Sequence, residues 1–123
     1  MIHLDTSFLI LALNVGTPED RKLREWVGAG ETLSMGTVAW TEFLCGPLDE
    51  SEIALADQIV GQRSDFTSDH AAIAARLFNE SGRRRGSLID CMIAAAALAD
   101  GAPIATRNVA DFRRFQEFGL KVV

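Results

Sequence analysis

Four acidic side chains stand where acids are scarce. Asp90 is the only charged residue between Ser87 and Leu98, in a stretch otherwise made of Leu, Ile, Cys, Met and Ala. Glu42 is the single charge in Val38-Ala39-Trp40-Thr41-Glu42-Phe43-Leu44-Cys45. Asp5 closes the opening Ile2-His3-Leu4, and Asp111 follows Asn108 by three residues. Each has an ordinary explanation. Asp90 and Asp111 suit the first turn of a helix, where the dipole favours an acid. Asp5 suits a helix cap, and Glu42 the one wet face of an amphipathic helix. Together they point elsewhere, because unpaired carboxylates among apolar residues need a partner or an ion. The chain's two lysines, Lys22 and Lys121, lie in polar or terminal segments and are poor partners. A hard divalent cation with oxygen ligands meets the need. With only two histidines and two cysteines, a zinc site is disfavoured. Carboxylates holding Mg²⁺ or Mn²⁺ are the usual machinery for hydrolysing a phosphodiester, in which the ion activates water and stabilises the leaving oxygen.

For these acids to meet, the elements carrying them must end at one place. Ile2 to Leu4 predicts a strand, followed by three candidate helix caps, Asp5, Thr6 and Ser7. Capping by Thr6 or Ser7 would leave Asp5 free to face a site. Phe8 to Leu13 predicts a buried helix. Pro18 opens a second, with Glu19 and Asp20 in its first turn and Leu23, Trp26 and Val27 on one face. Glu31 to Met35 predicts a strand broken by Gly36, and Thr37 then caps a helix running to Leu44. A more polar helix is expected from about Asp49 to Val60, then a brief strand at Phe66-Thr67. Ser68 or Asp69 caps a helix containing Ile73, Leu77 and Phe78. Ser81 to Gly86 is the most loop-like stretch. Ser87 caps the least polar helix, Leu88 to Asp100. Pro103 to Thr106 predicts a strand, Val109 to Phe115 a short helical turn, and Leu120 to Val123 a last strand. Strands separated by helices argue for a parallel sheet covered on both faces. Polar groups at strand C-termini then converge on one edge. Asp5 and Thr106 to Asn108 lie at such points.

The 123 residues suit a single domain, 1–123, and 48% hydrophobic residues suffice for a core. No apolar run approaches the roughly 20 residues of a membrane span, and no leader segment is visible, so a cytoplasmic protein without membrane association is expected. Cys45 and Cys91 read as two buried thiols. A net charge of −5 sits awkwardly with nucleic-acid binding. The basic residues are clustered, however: Arg83, Arg84 and Arg85 are consecutive, and Arg107, Arg113 and Arg114 lie close together.

Four segments in order carry a resemblance: Asp5-Thr6-Ser7 after a short strand; Thr41-Glu42-Phe43-Leu44-Cys45-Gly46; Asp90-Cys91-Met92-Ile93-Ala94-Ala95; and Thr106-Arg107-Asn108-Val109-Ala110-Asp111-Phe112. From Met1 to Val123 the chain resembles the PIN-domain ribonucleases and, more narrowly, the VapC-type toxins of toxin–antitoxin modules. The resemblance implies an α/β fold of three layers, α/β/α, around a parallel sheet of four to five short strands. It implies a Mg²⁺- or Mn²⁺-dependent endoribonuclease that leaves 5′-phosphate and 3′-hydroxyl ends. It further implies a homodimer held inactive by a cognate antitoxin, whose arginine would suit the acidic pocket. Carried over by position, Asp5 and Asp90 match the principal metal ligands and Glu42 the acid of the third helix. Asp111 is favoured as the fourth acid, with Asn108 as a direct or water-mediated ligand. Thr6 and Thr106 match polar residues that orient ligands or water, and Arg83 to Arg85 are candidates to hold the RNA backbone.

Two rival readings are open to these residues. His3 and His70 could form a metal-free acid–base pair giving cyclic phosphates. A catalytically inactive relative or a Mg²⁺-binding regulatory domain would act through a partner alone, but a receiver-like regulator needs a lysine at a strand end that neither Lys22 nor Lys121 supplies.

Overall fold

The computed structural model describes residues 1–123. The chain runs β1 (Ile2–Leu4), α1 (Thr6–Ala12), α2 (Pro18–Gly28), β2 (Leu33–Gly36), α3 (Thr37–Leu44), α4 (Glu50–Ile59), β3 (Gln62–Ser64), α5 (Ser68–Glu80), α6 (Leu88–Ala99), β4 (Ile104–Ala105) and α7 (Val109–Arg113), then a 3₁₀ turn at Gln116–Phe118. The sheet order is β3-β2-β1-β4, and every pairing is parallel. Ile104 also bridges Val122 in parallel, so the expected last strand shrinks to one rung. The central sheet flanked by helices is the expected α/β/α architecture.

Local signals explain most boundaries. Pro18 occupies the first turn of α2, and the Thr17 side chain accepts from the Asp20 amide at 3.0 Å. Asp49 and Glu52 close a capping box on α4. Leu23 is buried and Trp26 stacks on Phe8 at 5.5 Å, so the apolar face of α2 is spent on the core, with Val27 left exposed.

Other boundaries differ from expectation. The third strand lies at Gln62–Ser64 rather than Phe66-Thr67. It is a polar edge strand with one face open, so its pattern carries no apolar alternation. Phe66 instead packs on the core, and its amide donates to Thr37 Oγ1 at 3.2 Å. Thr37 is the first residue of α3, which Gly36 caps without a side chain. Thr67, one residue earlier than expected, caps α5. Ser87 precedes α6, but its hydroxyl donates to the Arg84 carbonyl and caps nothing. Cys91 is buried as expected, whereas Cys45 is exposed at the end of α3.

One core cluster joins the sheet to α1, α3 and α6. Cys91 and Ile93 to Ala97 are all buried, and the run of alanines lets α6 lie close to β2. A methyl group added at Gly36 would stand 3.1 Å from Ala96 Cβ, so the position has room for no branched side chain. Gly36→Val is therefore expected to cost about 1–3 kcal/mol, read as a lower urea midpoint.

A candidate active site at the carboxyl end of the sheet

Asp5 leaves β1 and, of the three candidate caps, is the one that caps α1. Its Oδ1 accepts the Thr6 amide at 2.9 Å. Its Oδ2 accepts the Ser7 hydroxyl at 2.8 Å and the Thr106 hydroxyl at 2.7 Å. The residue is 3% exposed. Capping and facing a site are thus compatible: backbone and hydroxyl donors fix the carboxylate on one side, leaving its outer edge towards a cleft.

That cleft, about 300 Å³, is lined by Asp5, Thr6, Ser7, Ile10, Glu42, Asp90 and Asn108. Four separate stretches of chain meet there: the start of α1, α3, the first turn of α6 and the turn before α7. Glu42 stands at the rim, where the Thr6 hydroxyl is shared between the Ala39 carbonyl at 2.9 Å and Glu42 Oε1 at 3.2 Å. Partial desolvation raises its pKa; the Thr6 hydrogen bond opposes that rise and the Asp5 charge adds to it. Asp90 is half-buried, and its pKa is pushed up to about 6. Desolvation contributes most, followed by the charges of Asp5 and Asp111, with Glu42 adding and Arg114 opposing.

Asn108 holds the cap position of α7 without making a capping bond, and its side chain lines the cleft. Asp111 does not line it and acts on Asp90 through its charge. Thr106 sits behind Asp5 rather than in the cleft, and also accepts the Asn108 amide at 2.9 Å.

Two contributors escaped the sequence reading. Ser7 bridges Asp5 and the Arg107 amide, a role its place among candidate caps had hidden. Arg114 lies over the Phe115 ring at 4.5 Å, with Nη2 4.0 Å from Asp90 Oδ2. Its Nε and Nη2 are buried without hydrogen-bond partners, so it is a resident positive charge only loosely tied to Asp90. The sole signal for it was its spacing of three from Asp111. Arg83, Arg84 and Arg85 are exposed in the loop before α6 and line no part of the cleft; Arg83 lies over Phe78 and bonds to Asn79.

The donor set suits a hard cation. Every polar side chain in the cleft offers oxygen, and the charges of Asp5, Asp111 and Glu42 add to the desolvation that raises the Asp90 pKa. No three acidic, histidine or cysteine side chains form a ready-made cage. That fits an ion such as Mg²⁺, which is commonly bound through one or two carboxylates and keeps several waters. The histidine alternative finds no support here. His3 is buried with Nε2 2.6 Å from Asp100 Oδ2, burial lowers its pKa, and neither His3 nor His70 lines the cleft.

A parallel α/β sheet with carboxylates gathered beyond its strand ends defines the class, and the comparisons agree. The family model of the PIN domain matches residues 2–117. The chain belongs to the PIN-domain family. Comparison with curated protein sequences found no match. Among solved structures, the fold is similar to VapBC2 from Rickettsia felis bound to a promoter DNA fragment, with a TM-score of 0.78 and 20% identity over 100% of this chain and 98% of that one. It is also similar to VapBC-1 from nontypeable Haemophilus influenzae, at 0.73 and 23% over 100% and 97%. VapC20 of Mycobacterium tuberculosis, a Sarcin-Ricin loop cleaving toxin, matches at 0.67 and 17% over 98% and 96%. At these identities the likeness speaks for the fold.

Proposed function

We propose that the chain is a Mg²⁺- or Mn²⁺-dependent endoribonuclease and the toxin of a VapC-type toxin–antitoxin pair. The observation that carries this is the convergence of Asp5, Glu42, Asp90 and Asn108 on one cleft from four separate stretches. Asp5 and Asp90 would hold the ion, with Asn108 offering a further oxygen and Asp111 adding negative field. When bound, the ion activates water and offsets charge on the leaving oxygen. The rest falls to the chain's own groups. Ser7 and Thr106 hold Asp5 in one orientation. Thr6 does the same for Glu42 Oε1, leaving Oε2 to accept a proton. With Asp5 and Asp90 engaged by the ion, Glu42 is the carboxylate left to take a proton, and its pKa is raised. Cleavage by attack of water would leave 5′-phosphate and 3′-hydroxyl ends.

The toxin–antitoxin assignment draws on the similar structures, which are VapBC complexes. The partner would be an antitoxin whose arginine enters the acidic cleft, and the active chain a homodimer. Arg114 shows that a guanidinium is tolerated beside Asp90, at 4.0 Å.

The test is cleavage of a structured RNA by purified protein with and without EDTA, followed by end mapping. Activity is expected to fall to background in EDTA, to return with Mg²⁺ or Mn²⁺, and to leave 5′-phosphates. Undiminished cleavage in EDTA, or cyclic phosphate ends, would overturn the metal mechanism. No cleavage under any metal would favour an inactive relative that acts only through its partner.

A further inference from the structure

Beside the acidic cleft lies a second and larger hollow of about 410 Å³, and its character is opposite. Lys22, Arg107 and Arg113 line it, against one acidic side chain, Glu19. Lys22 and Arg113 form no ion pair. Arg107 is held from both ends: its amide donates to Ser7 Oγ at 3.1 Å, and its guanidinium donates to Glu19 Oε1 at 3.0 Å. Glu19 is buried, while the Arg107 side chain stays 56% exposed, so the pairing aims the arginine without hiding it. The ridge between the two hollows is the tripeptide Thr106-Arg107-Asn108. Asn108 lines the acidic cleft, and Thr106 and Arg107 line the basic groove.

We infer that the Lys22–Arg107–Arg113 groove holds backbone phosphates of single-stranded RNA next to the one being cut, an inference that rests on the ribonuclease proposal. A strand carries a charge at every nucleotide. One phosphate in the cleft places a neighbour across the ridge, where Lys22 and Arg113 have no carboxylate partner and Arg107 stays exposed beside its own. On a chain of net charge −5, attraction for a polyanion must be local, and this groove adjoins the cleft whereas Arg83 to Arg85 line neither hollow. An acidic peptide would meet the same cations, and the experiment separates the two.

The measurement is fluorescence anisotropy of a labelled single-stranded RNA on the Asp90→Asn protein in Mg²⁺, with and without Lys22→Ala/Arg113→Ala, across a salt series. Cleavage by the same double variant in the otherwise native chain is measured in parallel. Loss of two phosphate contacts should weaken RNA binding roughly tenfold and flatten the log K against log salt slope by about 1.4, at 0.7 per contact on single strands. In cleavage, KM should rise and kcat stay unchanged. If the native chain cuts RNA but the double variant keeps its affinity, slope and KM, the groove assignment falls and the nuclease stands. Lost binding of a poly-glutamate peptide alongside unchanged RNA binding would overturn it in favour of an acidic partner. If the native chain neither binds nor cuts RNA, the ribonuclease proposal falls first.

Discussion

Asp90→Asn is expected to abolish RNA cleavage and at the same time to make the metal-free protein more stable. Cleavage should fall at least about a hundredfold, since even outer-shell changes at metal sites cost 10–100-fold. Stability should move the other way because the folded protein disfavours the charged form. The carboxyl titrates at about 6 when folded, against 3.8 for the free group. The folded state therefore binds more protons than the unfolded one between those values. The stabilising effect of the protonated form is complete below about pH 4 and is lost as pH rises through about 6. At pH 7.5 native Asp90 is charged, partly desolvated and opposed by Asp5, Asp111 and Glu42, whereas asparagine is neutral. Its side chain is 29% exposed, so solvent screens part of the effect. A gain of about 1–3 kcal/mol for Asp90→Asn in EDTA at pH 7.5 follows, shrinking towards zero near pH 4 and losing only its charge-repulsion share in high salt. Urea unfolding of both proteins at the two pH values checks it. A loss of stability at pH 7.5 would mean that Asp90 is a satisfied structural acid.

Asp5→Ala should also abolish cleavage but should weaken the fold. Asp5 is 3% exposed and accepts three hydrogen bonds, from the Thr6 amide and the Ser7 and Thr106 hydroxyls. Its removal deletes a helix cap, worth about 1 kcal/mol, and strips the Thr106 hydroxyl of a buried acceptor, worth about 1–3 kcal/mol. A loss of about 2–4 kcal/mol in urea unfolding is expected. Stability equal to that of the native chain would refute the anchoring role. The two acids are thus expected to separate by the sign of their effect on folding although both substitutions should silence the proposed activity.

Asp90 and Glu42 were legible in the sequence because an acid inside an apolar helix is costly and so conspicuous. Asp5 was legible as an acid at a strand end, but its double duty was not, because capping and site roles seemed to compete. Three hydrogen bonds reconcile them. Whether Asn108 or Asp111 faced the cleft depended on the backbone entering α7, where Asn108 adopts φ −91° and ψ 55°. Spacing says nothing about that. The strand at Gln62–Ser64 stayed hidden because an edge strand of Gln, Arg and Ser needs no apolar alternation. Arg114 was unreadable for the opposite reason. A guanidinium resting on Phe115 looks in sequence like any surface charge on a short helix.

The hydrogen bond from Thr106 to Asp5 joins residues 101 positions apart. A ribosome must therefore add the 101 residues after Asp5 before this carboxylate finds its clasp. Translation adds about 5–20 residues per second, so Asp5 spends several seconds without its buried donor. A site clasped by residues so distant in sequence is completed late in synthesis, an interval in which the proposed antitoxin can already be at hand.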